Sequence, residues 1–322
     1  MNGLLPATVS GRVYLAIVAL LAVAPFLLHW MDQPFYLDLL SRGLVFAIAV
    51  ISLNLILGYG GMVSLGHAAY IGIGAYCVGI PSYYDYYNGW LHLALALSVS
   101  GVFALITGAI SLRTRGVYFI MITMAFSQMV FFIFLSLEEY GADDGLVIYA
   151  RSEFPAWISM ESAFGLYYWI FAILLLAIFL INRLVHAPFG RVIVGSKFNE
   201  QRMQALGFNT YRYRLACYVM SAMLCSLAGM LLGNFSGFIS PDMMSWARSG
   251  ELIFMVLIGG VGTPFGPLIG TLAFVLLEEF LSAITVYWHL IFGVLLVLLV
   301  LYGKGGIHGL LKLLDARRGG DG

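Results

Sequence analysis

Charge is the scarcest property of this 322-residue chain, because Asp, Glu, Lys and Arg together make up only 10% of it. A soluble domain carries roughly a quarter of its residues as charged side chains, so that class is excluded. Hydrophobic residues make up 61% of the chain, in long and unbroken runs. A membrane β-barrel shows short alternating segments instead. The composition predicts an all-α, polytopic helical membrane protein.

Residues that carry redox, metal or catalytic chemistry are also few. The three cysteines and six histidines show no metal-ligand or redox spacing. We therefore predict no metal site and no cofactor, and we expect Cys77, Cys217 and Cys225 to be small core residues. Among the histidines, His67 stands out because it follows a glycine-rich break, although a packing role suits a single histidine equally well.

The sequence also lacks the means to bind ATP or to catalyse a reaction. Residues 303–306, Gly-Lys-Gly-Gly, have neither the upstream glycine nor the following Ser or Thr of a Walker A motif. Glu278 and Glu279 are the two ionisable residues that we assign to the predicted spans, and no catalytic constellation is visible. We predict no catalytic residue, no enzyme activity and no nucleic-acid partner, so ATP hydrolysis would belong to another chain.

About ten apolar runs, or eight to ten crossings, are predicted to span the membrane. They lie near 13–30, 37–57, 66–80, 90–112, 116–137, 164–184, 215–236, 251–262, 264–283 and 286–303. With the N-terminus inside, thirteen of the sixteen basic residues fall on one face, which the positive-inside rule makes cytoplasmic. Both termini are then predicted to be cytoplasmic. We expect residues 1–322 to form a single transmembrane domain with an acidic outer loop at about 138–163.

Two glycine-rich segments interrupt this apolar pattern. Residues 57–66 precede a short run at 67–80, and residues 259–270 follow a short run at 251–258. Irregular backbone at membrane depth is tolerated only where it is buried in protein or lines a cavity, and paired breaks are a sign of a midplane pathway built from repeats. The alternative is that the glycines allow close helix packing. The residues that we predict to line a pathway are Gly58, Tyr59, Gly60, Gly61, Ser64, His67, Gly259, Gly260, Gly262, Thr263, Gly266 and Pro267.

A long basic loop at about 186–214 separates two predicted spans. Within it, residues 200–207 have the pattern of a two-turn helix that ends at Gly207, which is suited to a left-handed C-cap. Ala205, Leu206 and Phe208 supply an apolar surface at that end. A small helix presented to the cytosol predicts a cytosolic partner.

Five motifs carry a family resemblance: residues 54–76, 116–129, 143–146, 190–231 and 259–271. In order and spacing they resemble the LivM-type membrane subunit of branched-chain amino-acid ABC importers, from about residue 37 onward. The resemblance implies a bacterial inner-membrane permease that pairs with a second homologous permease, two cytosolic P-loop ATPases and an extracytoplasmic solute-binding protein. One departure is Lys197-Phe198, where the family commonly has Arg-Glu, so an ion pair to the ATPase at this position is in doubt.

The resemblance also implies which residues dock on the ATPase. These residues form the coupling segment, residues 199–208, and the predicted contacts are Asn199, Glu200, Gln201, Ala205, Leu206, Gly207 and Phe208. The implied cargo is a branched-chain or similar hydrophobic amino acid, while relatives also carry urea, amides or aromatic acids. The alternative function is a self-contained secondary transporter or channel for a small neutral solute, with Glu278 or Glu279 as the ion-coupling group.

Overall fold

The computed structural model describes residues 9–154, 162–302 and 305–309, and within them the chain is almost entirely helical. The α-helices in chain order are α1 (Val9–Trp30), α2 (Pro34–Asn54), α3 (His67–Tyr83), α4 (Gly89–Ser111), α5 (Val117–Leu135), α6 (Ala163–His186), α7 (Pro188–Phe198), α8 (Glu200–Ala205), α9 (Thr210–Ser236), α10 (Trp246–Gly259), α11 (Gly266–Ile284) and α12 (Trp288–Tyr302). A single π-helical turn, Leu55–Tyr59, continues α2. The all-α prediction is confirmed.

Irregular structure is confined to short turns and one small sheet in this part of the chain. Two-residue strands, β1 (Leu146–Val147) and β2 (Phe238–Ile239), pair antiparallel and tie the loop after α5 to the end of α9. Three 3₁₀ turns lie at Glu138–Tyr140, Ala142–Asp144 and Pro241–Met244.

Seven of the described helices are long and apolar enough to cross a membrane: α1, α2, α4, α5, α6, α9 and α11. The remaining apolar helices are shorter, with 17 residues in α3, 14 in α10 and 15 in α12. Each of the ten predicted apolar runs corresponds to one of these ten helices. The chain is therefore a multi-pass helical membrane protein with two kinds of membrane helix.

The centre of the bundle is formed by α9, which packs against α2, α3 and α4. Two glycines allow the backbones of α3 and α9 to approach closely. A Cβ added at Gly229 would lie 2.8 Å from Cα of Ile71, and one at Gly74 would lie 3.0 Å from the amide of Met230. Small residues of this kind let membrane helices pack on their backbones. Gly74 and Gly229 therefore serve close helix packing.

Two of the shorter helices begin inside the bundle rather than at its surface. His67, the first residue of α3, contacts Ser221 near the middle of α9. The carbonyl of Met244, just before α10, accepts a hydrogen bond from Ser127 near the middle of α5. The first turns of α3 and α10 then meet, because the Ala68 amide donates to Ser249 Oγ at 3.0 Å.

This arrangement adds a segment that the sequence analysis did not single out. Residues 60–66 and 237–245 each lead from a long central helix to a helix that starts inside the bundle. Residues 259–266, by contrast, form a turn between α10 and α11. Glycine density was the signal in the sequence, and it does not single out residues 237–245, which contain one glycine.

The predicted basic loop is more ordered than expected, because α7 occupies its first half and α8 lies at its centre. Cys217 and Cys225 are buried, as predicted, whereas Cys77 is half-buried. Residues 155–161, within the predicted outer loop, and most of the basic C-terminal tail, including Lys304, Lys312, Arg317 and Arg318, lie outside the described residues.

Candidate functional site

The coupling segment is built around α8, which has a cap at each end. The Asn199 side chain accepts a hydrogen bond from the amide of Arg202 at 2.9 Å, which satisfies a free amide of the first turn. Gly207 has φ +88° and its amide donates to the Gln204 carbonyl at 2.9 Å. The predicted left-handed conformation at Gly207 is confirmed, and the helix is a six-residue one.

An apolar surface is exposed at both ends of this helix. The exposed fraction is 82% for Phe198, 67% for Leu206 and 39% for Phe208, and Ala205 is exposed beside them. Single exposed apolar residues are ordinary, but several together on a capped helix are typical of a contact surface. Three of the predicted contact residues, Ala205, Leu206 and Phe208, therefore share this surface.

Glu200 differs from Ala205, Leu206 and Phe208 because its side chain binds other elements of the chain. Oε2 accepts from Arg214 of α9 at 3.0 Å and from Arg115 of the α4–α5 turn at 3.2 Å. Oε1 accepts from the Thr210 hydroxyl at 3.0 Å, at the start of α9. Glu200 thus fixes α8 to two other elements, and its role in the structure is to hold the exposed surface in place.

The two predicted glycine breaks come together beneath this segment, and we call this contact the glycine junction, residues 54–62 with 259–266. Asn54 joins the two sides. Its Nδ2 donates to the Thr263 carbonyl at 2.9 Å, and its Oδ1 accepts from the Gly262 amide at 2.9 Å. Gly58 packs directly on Gly262, since a Cβ at Gly58 would lie 2.8 Å from Gly262 Cα.

The α10–α11 side of the junction is a compact turn. Gly260 and Gly262 have φ +113° and +73°, conformations that favour glycine. The Thr263 hydroxyl donates to the Gly260 carbonyl at 2.8 Å and accepts from the Gly266 amide at 3.1 Å. Gly259 and Gly266 are in backbone contact, so they serve close packing, while buried Pro267 begins α11.

Ser64 and His67 lie deeper in the bundle and both are buried. The Ser221 hydroxyl donates to the Ser52 carbonyl, so His67 Nε2 must be the donor in its 2.9 Å contact with Ser221 Oγ. This leaves His67 Nδ1 as a buried acceptor without a hydrogen-bond partner in the described part of the chain. Of the remaining pathway residues, Tyr59, Gly60 and Gly61 stay with the glycine junction.

The structure also shows a group of charges that the sequence prediction missed. Arg42 of α2 pairs with Glu278 of α11 at 3.1 Å, and Arg248 pairs with Glu251 on α10 at 2.5 Å. Both guanidinium groups lie 5.8 Å from the centroid of the Phe46 ring. The expectation that the spans hold only Glu278 and Glu279 is therefore wrong.

The sequence already contained evidence for this charge cluster, in the positions of its two arginines. Arg42 and Arg248 are among the three basic residues that fall outside the predicted cytoplasmic set. Glu251 also borders a cavity of about 500 Å³ with His289 and the aromatic side chains of α10, α11 and α12.

A separate cluster of tyrosines lies where α3 and α5 end. Tyr84 donates a hydrogen bond to Glu139 at 2.9 Å and contacts the Tyr140 hydroxyl at 3.1 Å. These bonds, first that to Tyr140 and then that to Glu139, raise the pKa of Tyr84 above its ordinary value. Tyr83, Tyr84 and Tyr86 are exposed.

Comparisons with known proteins agree on one family. The family model described as "Branched-chain amino acid transport system / permease component" matches residues 35–301. The LivM permease protein of Salmonella typhimurium is 27% identical over 93% of this chain and 75% of its own length. The probable LivM permease protein of Methanocaldococcus jannaschii is 24% identical over 84% of this chain and 93% of its own length.

A sister protein is also similar. The LivH permease protein of Escherichia coli is 25% identical over 88% of this chain and 96% of its own length. No solved structure matches the chain.

The helices define a multi-pass helical membrane protein, and the family model adds that it is a transport permease. Because the family model covers residues 35–301, the chain belongs to the branched-chain amino acid transport system permease family. The predicted LivM-type membership is thereby confirmed.

Proposed function

We propose that this chain is the membrane-spanning subunit of an ABC importer that moves branched-chain or similar hydrophobic amino acids into the cytoplasm. Two cytosolic P-loop ATPases would drive it, a second homologous permease would pair with it, and an extracytoplasmic binding protein would deliver the cargo. Similarity to permeases named for branched-chain amino-acid transport supports this function. The location that we propose is the bacterial inner membrane, with both termini in the cytoplasm, as the distribution of basic residues predicts.

The observation that carries the proposal is the coupling segment. An apolar surface that includes Leu206 and Phe208 is exposed to solvent, while Glu200 anchors the same helix to Arg115 and Arg214. An exposed apolar surface on a rigid base is suited to docking in a partner's groove, as in helix-in-groove recognition. Rigid-body movement of that partner would displace α7 and α8, and with them the attached bundle.

The translocation pathway is proposed to run beside the glycine junction and the two helices that begin inside the bundle, α3 and α10, which we call the half-helices. α3 and α10 begin inside the bundle, and half-helix N-termini at such depth carry partial positive charge that suits an anionic group of a cargo. His67 Nδ1, a buried acceptor, lies at the start of α3. A zwitterionic amino acid has both a carboxylate and an ammonium group to match these features.

A substitution at Leu206, the most exposed large hydrophobic residue of the coupling segment, tests the proposal. We expect Leu206→Asp to lower ATP-dependent uptake of labelled leucine by at least about tenfold, because a buried carboxylate without a partner is costly at an apolar interface. Leu206→Met, which keeps the apolar contact, is the matched control and should retain uptake. Equal uptake by both variants in the reconstituted complex would contradict the docking role.

A self-contained secondary transporter or channel is the second candidate, and the charge cluster of α2, α10 and α11 is the feature that favours it. Ionisable residues within a membrane domain are functional candidates by default. Glu278, however, is paired with Arg42 at 3.1 Å, which limits its use as a free ion-binding carboxylate. This candidate expects flux through the purified chain alone in liposomes, with sensitivity to Glu278→Gln or Glu279→Gln.

A further inference from the structure

Lys197 connects the end of α7 to the glycine junction. Its Nζ donates a hydrogen bond to the carbonyl oxygen of Gly58 at 2.7 Å. Its aliphatic stem lies along Gly61, where an added Cβ would be 2.8 Å from Lys197 Cγ. The contact joins two parts of the chain that are 139 residues apart.

The carbonyl that Lys197 binds belongs to the end of a helix. Gly58 lies in the π-helical turn that continues α2. The last carbonyls of a helix lack partners within it and carry partial negative charge, so an ammonium group stabilises them. Lys197 therefore caps α2 from a different helix, and the position of α2's end depends on the position of α7.

The end of α2 is also in contact with the α10–α11 turn, through Asn54. Asn54 binds Gly262 and Thr263 on the α10–α11 turn, and Gly58 packs on Gly262. A change in the position of Gly58 would therefore displace both glycine breaks at once. Lys197 is the side chain of α7 for which a hydrogen bond to this junction is observed.

On its other side, Lys197 is next to the coupling segment. It precedes exposed Phe198, and only Asn199 separates α7 from α8. Met203 of α8 also packs on α7, since a Cβ at Gly195 would be 2.8 Å from Met203 Sδ. A displacement of α8 is thus expected to move α7 and Lys197 with it.

We propose that Lys197 is a positioning residue that transmits movement of the coupling segment to the glycine junction by holding the Gly58 carbonyl. The proposal rests on the proposed function, because movement of the coupling segment presupposes a driving partner. A cap that only stabilises α2 would leave coupling unaffected, and this difference can be measured.

The first experiment needs no partner protein. Hydrogen–deuterium exchange of residues 55–66 is measured in the purified chain for wild type, Lys197→Met and Lys197→Arg. The amides of Gly60, Gly61 and Met62 bond to carbonyls in this turn, so loss of the ammonium should speed their exchange roughly tenfold in Lys197→Met. Lys197→Arg keeps a donor and should stay near wild type.

Arg191→Met is the matched control, since it removes one exposed positive charge from the same helix. It should leave exchange of residues 55–66 unchanged. If Lys197→Met does not elute as a single species, Lys197→Leu, which also lacks a hydrogen-bond donor, replaces it. Unchanged exchange in Lys197→Met, or in the variant that replaces it, would refute the hold on Gly58, whatever the transport result.

The second experiment measures uptake per ATP hydrolysed in the complex reconstituted with its ATPases. We expect a several-fold loss for Lys197→Met, with Lys197→Arg and Arg191→Met close to wild type. Faster exchange together with normal uptake per ATP would overturn the transmitting role and leave a structural cap. If the wild-type complex shows no ATP-dependent uptake, the proposed function fails and the transmitting role with it, while the exchange result still decides the local hold.

Discussion

Gly58 is the residue at which the two glycine breaks touch, and its missing side chain is what allows the contact. A Cβ there would lie 2.5 Å from the Gly262 amide nitrogen and 2.8 Å from Gly262 Cα, both backbone atoms that have little freedom to move. The hydrogen bonds of Asn54 to Gly262 and Thr263 hold the two turns in this register. A methyl group at position 58 must therefore separate them.

We expect Gly58→Ala to lower the free energy of unfolding by about 1–3 kcal/mol through overpacking. The matched control is Gly250→Ala on α10, where an added Cβ has no neighbour within 4 Å. Alanine is favoured over glycine within a helix, so this control should be neutral or slightly stabilising. Thermal unfolding of the purified variants in detergent measures both, and a Tm for Gly58→Ala at or above that of Gly250→Ala would contradict the close contact.

Gly207 tests the shape of the coupling segment without a steric clash. No atom lies within 4 Å of an added Cβ there, but φ is +88°, a region that β-branched residues avoid. Gly207→Val should reorient the end of α8 and lower uptake several-fold, whereas Gly207→Asn should largely preserve it because asparagine tolerates this conformation. Uptake by the reconstituted complex is the measurement, and equal activities would show that the C-cap is not needed.

At the residue level, the sequence identified backbone roles better than side-chain partners. Gly207 could be predicted because a helix that ends in glycine has a local signature. The contacts of Glu200 with Arg115 and of Lys197 with Gly58 could not be predicted, because they join residues far apart in sequence. Arg42 and Arg248 lie outside the predicted cytoplasmic set of basic residues, and the prediction overlooked this indication of their ion pairs.

At the level of elements, α2 and α11 are joined by a charged pair within the bundle. Arg42 and Glu278 are 3.1 Å apart, and their side chains keep 36% and 19% of their exposure. Removing one partner leaves the other charge poorly solvated, while removing both exchanges the pair for apolar packing.

We therefore expect Glu278→Gln to lower the free energy of unfolding by about 1–3 kcal/mol, less than for a fully buried pair. The double variant Arg42→Met/Glu278→Met should recover most of this loss. Glu279→Gln, at the neighbouring position, should change stability by less than about 0.5 kcal/mol. Unfolding in detergent measures all three variants, and a double variant that is less stable than Glu278→Gln would contradict a pair that stabilises through mutual contact.

The half-helices explain why the elements could be predicted only in part. Each apolar run became a helix, because hydrophobic length is a local property. The entry of residues 237–245 into the bundle was missed. It is stabilised by contacts with α5 and α3, which are distant in sequence, and the segment itself has few glycines. The first break, residues 57–66, could be predicted because the sequence shows both its glycines and the short apolar run that follows.

At the level of the whole molecule, the features form one continuous set of contacts from the coupling segment to the bundle centre. α8 contacts α7, Lys197 of α7 binds Gly58, and Asn54 binds the α10–α11 turn. α10 in turn meets α3 where both half-helices begin. Such a path is suited to a subunit whose transport is driven from one end.

Co-purification tests the central claim most directly. The tagged chain is isolated from its own host in mild detergent, as wild type, Leu206→Asp and Leu206→Met, and associated proteins are identified by mass spectrometry. We predict that wild type and Leu206→Met retain P-loop ATPases and a second permease, while Leu206→Asp retains the permease and loses the ATPases. A stable wild-type assembly with no ATPase, active in liposomes on its own, would contradict the account.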